Sequence, residues 1–136
     1  MTEEPVGEPA LIQVVADDRE AAGGVVDVLR QMPRVQVRVA RLGVGDYQVN
    51  GDCLFERKSL LDFAASIQDG RLFEQARRLV CSRDRVALIL EGRASDLVNS
   101  EMRREAMQGA IISLSLLFHN PILRSLDAGE TKIFGS

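Results

Sequence analysis

The run Val86-Ala87-Leu88-Ile89-Leu90 contains no polar residue, and this constrains the fold more than any other feature. A strand that is apolar on both alternating faces needs cover on both. It belongs within a sheet that carries helices on each side. Leu11 to Ala16 is a second such run, broken only by Gln13. Val35, Val37 and Val39 instead alternate with Arg34, Gln36 and Arg38, which predicts a half-buried strand with one wet face.

Helical spacing fills the gaps between these strands. Ala21, Ala22, Val25, Val26 and Leu29 predict a helix over Glu20 to Gln31, closed by Pro33. A helix is expected from Ser59 to Gln68. After a break at Asp69-Gly70 a second runs to Arg83, with Leu72, Phe73, Ala76, Leu79 and Val80 as its apolar face. A long helix is predicted over Glu101 to His119. Its second half is apolar nearly all round, so it must be buried on more than one side. A short strand follows at Pro121 to Arg124, and Asp127 to Glu130 reads as the start of a last helix with a capping box. Strands interleaved with helices over 136 residues make one α/β domain with a single core, residues 10–136, behind an acidic leader at 1–9 expected to be disordered.

Composition narrows the function. No apolar run reaches the ~20 residues of a membrane helix, and the acidic N-terminus is unlike a signal peptide, so a cytoplasmic, nucleoid-associated location is expected. Cys53 and Cys81 lack CxxC spacing and His119 is the only histidine, which argues against a His/Cys zinc site. With a net charge of −3 and a pI near 5.2, the chain cannot coat DNA by charge alone. Any nucleic-acid contact is local, or shared with another copy or another domain. Lysine occurs only at Lys58 and Lys132 in an otherwise arginine-based chain. Lys58 therefore stands out, because a compact amine with an adjustable pKa does chemistry that a guanidinium cannot.

Asn50-Gly51 is a strong hairpin signal, since both residues accept positive φ. The hairpin folds Asp46 back toward Glu56 and Lys58, which share one face of the returning strand. Two carboxylates and an ammonium then surround one point. Two hard oxygen donors suit Mg2+ or Mn2+, and Lys58 can orient or deprotonate an attacking water. The same residues also fit a charged hairpin edge that resists aggregation.

The surrounding sequence resembles one family. Gly45-Asp46-Tyr47 followed by Glu56-Arg57-Lys58-Ser59-Leu60-Leu61-Asp62 is similar to the GD…ERKxxxD signature of the XPF/Hef structure-specific endonucleases. Val15 with Asp17-Asp18-Arg19-Glu20 resembles their VDxRE motif. Asp69 to Gln75 resembles their helix-opening NGRLxxQ, and Leu88 to Gly92 their central strand. Pro121 to Arg124 and Asp127 to Thr131 resemble their last strand and helix. The likeness runs in order over residues 11 to 134. It implies a restriction-endonuclease-like PD-(D/E)xK fold of three layers, a mixed central sheet flanked by helices. It implies a Mg2+- or Mn2+-dependent homodimer that cuts DNA at flaps and forks in repair or recombination. Carried over by position, Asp46 and Glu56 hold the metal and Lys58 serves the water. Arg57 and Asp62 complete the signature, and Asp17 lies in the upstream acidic motif. Arg19, Arg57, Arg71 and Gln75 are the candidate DNA contacts.

Each of these residues has a plainer reading. Asp62 can close a capping box begun by Ser59. Arg57 faces away from Glu56 on an ideal strand and can be a solvated charge. Asp17 and Asp18 can cap the next helix, Arg19 and Glu20 can pair locally, and Arg71 and Gln75 can be exposed helix positions. Tyr47 suits packing better than base stacking, and His119 suits a helix C-terminus. Relatives carry a tandem helix-hairpin-helix module after the nuclease domain, and this sequence ends before one, so a separate DNA-binding domain or protein is an expected partner. Two rivals stand beside the nuclease reading. One is a catalytically silent dimerisation scaffold of the same family, disfavoured because Asp46, Glu56, Lys58 and Asp62 are intact. The other is a receiver-like signalling domain built on Asp17-Asp18, disfavoured by the hairpin and by the lack of a phosphorylatable Asp after Leu90.

Overall fold

The computed structural model describes residues 11–82, 85–98, 100–116 and 118–127. The expected leader and the last predicted helix beyond Asp127, together with Thr131, lie outside them. Six strands form one mixed sheet in the order β2-β1-β3-β4-β5-β6. They are β1 (Ile12–Asp17), β2 (Val35–Ala40), β3 (Tyr47–Val49), β4 (Cys53–Ser59), β5 (Arg85–Glu91) and β6 (Ile122–Ser125). β1 and β2 are parallel, as are β4, β5 and β6; β3 joins the two halves antiparallel to both β1 and β4.

Helices cover both faces, as the apolar β5 requires. On one face α1 (Val25–Arg30) packs Val25, Val26 and Leu29 against Val14, Ala16 and Tyr47. On the other, α2 (Leu60–Gln68), α3 (Leu72–Ser82) and α4 (Arg104–Leu116) pack Leu60, Phe63, Leu72, Met107 and Leu114 against Leu88 and Leu90. Each such side chain contributes roughly 1.5–3 kcal/mol by leaving water. The result is the α/β three-layer architecture expected from the resemblance. Tyr47 is a packing residue, 4% exposed within the α1 layer.

The hairpin forms at the predicted residues. Asn50 and Gly51 have φ of 51° and 79°, and the Asp52 amide donates to the Val49 carbonyl at 3.2 Å. Asp52 is an extra loop residue before Cys53 pairs with Val49.

Two helices differ from expectation. The first begins at Val25 rather than Glu20, and Ala21 and Ala22 are exposed. Asp18–Glu20 form a single 3-10 turn instead. Gly24, just before the first helical residue, has a left-handed φ of 87° that breaks the helix, and at Gly23 a Cβ would lie 2.8 Å from the Arg57 guanidinium. The helix expected over 101–119 is also shorter. In α4 only the stripe of Met107, Ala110 and Leu114 is buried, whereas Ile112 and Leu116 are 57% and 67% exposed. The single chain therefore does not bury this helix on more than one side. No helix among the described residues is long and apolar enough to cross a membrane.

Candidate nuclease site

β3 and β4 bring the candidate residues together. Asp46 immediately precedes β3. Its amide donates to the Phe55 carbonyl and its carbonyl accepts from the Asp17 amide, each at 2.8 Å. The residue is thus stitched between β1 and β4 before its side chain does anything. That carboxylate accepts the Arg57 main-chain amide at 2.8 Å. Strand alternation then sets the faces. Val15 pairs with Gln48 and Gln48 with Leu54, so Asp17, Asp46, Glu56 and Lys58 share the face covered by α2 and α3.

Asp46 and Glu56 line a cleft of about 120 Å³ with Arg19, Gly43, Val44, Gly45, Gln75 and Arg78. Burial pushes the Asp46 carboxyl up to about 7, opposed by the Arg57 amide and assisted by the negative charges of Glu20 and Glu56. Burial likewise raises Glu56, against the pull of Lys58. Among the described residues neither carboxylate forms an ion pair. Two half-buried acids without a contact cation are what a divalent ion with hard oxygen preference would compensate. Among the described residues no set of three or more His, Cys, Asp and Glu converges for a metal. A bound ion would therefore keep positions for water and substrate oxygens, and the donor set fits Mg2+ or Mn2+.

Lys58 is 7% exposed, and its amine donates to Gln75 Oε1 and lies beside Asp62 Oδ2, each at 2.9 Å. Gln75 is thus engaged with Lys58 from α3. Asp62 does not close a capping box with its side chain. Ser59 Oγ accepts the Asp62 amide at 3.0 Å, while the Asp62 carboxylate turns to Lys58. A second cleft of about 290 Å³, lined by Arg19, Glu20, Asp46, Arg57, Lys58, Ser59 and Asp62, joins these groups.

Asp17 is fully buried and holds its neighbours. Its carboxylate accepts from the Arg19 amide at 3.0 Å, Arg19 Nε at 2.6 Å and the Leu42 amide at 2.8 Å. The Arg19 bond, ahead of the others, lowers its pKa to about 2. Arg19 therefore pairs with Asp17 rather than Glu20. Arg71 is exposed and pairs with Asp69 at 3.1 Å.

Arg57 is not a solvated charge. Its guanidinium lies on the α1 face, 2.9 Å from Glu20 Oε2 and 2.8 Å from Glu91 Oε1. This clamp ties the 3-10 turn after β1 and the end of β5 to β4. Glu91 and Arg78 were missed by sequence reasoning, as was the Glu20–Arg57 pairing. The available signals were acids at the C-terminal ends of two buried strands, where α/β sheets build sites, and an arginine one helical turn after Gln75.

Known proteins share this fold. The ERCC4 domain model matches residues 16–134. The chain belongs to the ERCC4-domain family of XPF nucleases. It is 31% identical over 121 residues to the 3′-flap repair endonuclease Xpf of Saccharolobus solfataricus, covering 89% of this chain and 52% of that protein. The chain thus spans about half the length of this curated relative. Among solved structures, XPF from Aeropyrum pernix superposes with a TM-score of 0.84 at 33% identity, over 90% of this chain and 61% of that one. The same protein in complex with DNA gives 0.81 at 33% identity, over 90% and 60%.

Proposed function

We propose that this chain is the nuclease domain of a Mg2+- or Mn2+-dependent DNA endonuclease. It cuts phosphodiester bonds at flaps and forks, near junctions of single and double strand, and works as a homodimer on DNA in the cytoplasm. The observation that carries this reading is the pair Asp46 and Glu56, half-buried and free of contact cations among the described residues, beside the buried amine of Lys58. The name of the flap endonuclease relative and the DNA complex of the Aeropyrum protein support the substrate class.

Asp46 and Glu56 would hold the metal. When bound, it would supply Lewis-acid polarisation of the phosphate and ease ionisation of water. Lys58 orients the attacking water and offsets the negative charge that builds on the phosphorus oxygens. Asp62 and Gln75 hold the Lys58 amine at one point, which fixes the direction of attack. Arg57 contributes through its main chain, donating to Asp46, and through its clamp on Glu20 and Glu91. Asp17 secures Arg19 and the Leu42 loop at the rim, from which Arg19 can meet a phosphate; Gln75 lines the same cleft, and Arg71, one helical turn before it, would be a further phosphate contact. A further DNA-binding domain or protein would add affinity that an acidic domain lacks.

The test is cleavage of labelled flap, fork and plain duplex DNA with Mg2+ or Mn2+, wild type beside Lys58→Ala. The expected result is metal-dependent cutting that the variant loses by ~10²-fold or more, with branched DNA preferred. A folded, dimeric wild type that cuts none of these substrates would overturn the reading in favour of a scaffold role.

A further inference from the structure

The charges around the cleft do not balance, and the imbalance singles out one residue. Arg19 is held by Asp17, Arg57 by Glu20 and Glu91, and Lys58 by Asp62. Arg78 also lines the cleft of Asp46 and Glu56, yet among the described residues it forms no ion pair. It lies three residues after Gln75 on α3, so one face of that helix presents both the carbonyl that holds Lys58 and this guanidinium. Its chain neighbour Arg77 is bound to Glu74 at 2.6 Å and is absent from the cleft lining.

A phosphodiester entering this cleft meets two carboxylates, and a metal alone leaves its outer oxygens without a partner. Guanidinium forks suit those oxygens, and an arginine not already committed to an acid can reach them without first breaking a pair. We propose that Arg78 binds the phosphate of the strand being cut, at the cleft that Asp46 and Glu56 line. This rests on the nuclease reading above, but its test does not depend on turnover.

The full chain and its Arg78→Ala, Arg78→Lys and Arg77→Ala variants are titrated with labelled flap DNA in EDTA over a series of salt concentrations. Loss of one phosphate contact should weaken binding by ~10-fold and reduce the salt slope by about 1 in Arg78→Ala, with Arg78→Lys intermediate. Arg77→Ala should match wild type. Single-turnover cleavage in Mn2+, with Lys58→Ala as the inactive control, should show kcat/KM of Arg78→Ala down by ~10- to 10²-fold. Arg78 is exposed, so the variants should melt with the wild type. Equal affinity and salt slope for Arg78→Ala and Arg77→Ala would overturn the proposal, as would a wild type that binds no DNA. If the wild type binds but does not cut, the nuclease reading fails while the salt slope still decides the role of Arg78.

Discussion

The Arg57 amide donates to the Asp46 carboxylate at 2.8 Å while the Arg57 guanidinium lies on the opposite face of the sheet, clamped by Glu20 and Glu91. One residue thus aligns a site acid through its main chain and locks the strand that carries it through its side chain. Removing the side chain leaves the amide in place but strands two largely buried carboxylates. Arg57→Ala should therefore lower stability by about 2–4 kcal/mol. Glu91→Gln should cost less, because Glu20 still holds the guanidinium. Urea melts of these variants and of the double variant check this. An Arg57→Ala protein as stable as wild type would show that the clamp is not structural.

Asp46 imposes an unusual pH dependence. Its folded pKa of about 7 stands above the ordinary 3.8. Between those values the folded state holds a proton that the unfolded state has lost, so this group makes stability fall as pH rises from about 4 to 7. In a chelator the melting temperature should decline across that window, and Asp46→Asn should flatten the decline. Mn2+ affinity should move the opposite way and weaken below about pH 7, since a protonated carboxyl cannot ligate. Calorimetric titration at pH 6 and pH 8 measures it.

Ser59 and Asp62 separate capping from chemistry. Ser59 caps α2, so Ser59→Ala should cost about 1 kcal/mol. The Asp62 side chain is 53% exposed and turned to Lys58, so Asp62→Asn should change stability by no more than about 0.5 kcal/mol. Its cleavage rate should nonetheless fall, by ~10-fold, because Lys58 loses one of its two holds. Melts and single-turnover rates on the same preparations distinguish the two roles.

Asp17 acts by holding main chain and side chain at once. Its pKa of about 2 lies below the ordinary 3.8, so its contribution is present above about pH 4 and lost as pH falls through 2. Asp17→Ala should cost about 1–3 kcal/mol at pH 7, through the unpaired Leu42 amide and the released Arg19. The deficit should shrink on acidification. Chemical denaturation at pH 7 and pH 3 compares the two.

Ile112 and Leu116 remain open on α4 in the single chain. If a second copy covers them, Ile112→Glu with Leu116→Glu should turn a dimer into a folded monomer, read by light scattering. A wild type that is already monomeric at high concentration would remove the homodimer from the proposal.

Much of this protein was legible in its sequence because the governing physics is local. Uninterrupted Val86 to Leu90 demanded cover on both faces, Asn50-Gly51 demanded a turn of positive φ, and alternation along β4 placed Glu56 and Lys58 together. What tertiary structure decided involves residues distant in the chain. Glu20 joined Arg57 rather than Arg19, and the helix beginning there was deferred to Val25, because Glu20 is drawn to Arg57 and Gly24 takes a left-handed φ of 87° just before the first helical residue. Asp62 chose Lys58 over the helix cap, and Gln75 arrived from α3 to share it. Periodicity also could not say that only one side of α4 would be buried within the chain. Pairing between distant strands depends on how helices and sheet close around a common core, and no short window of sequence contains that information.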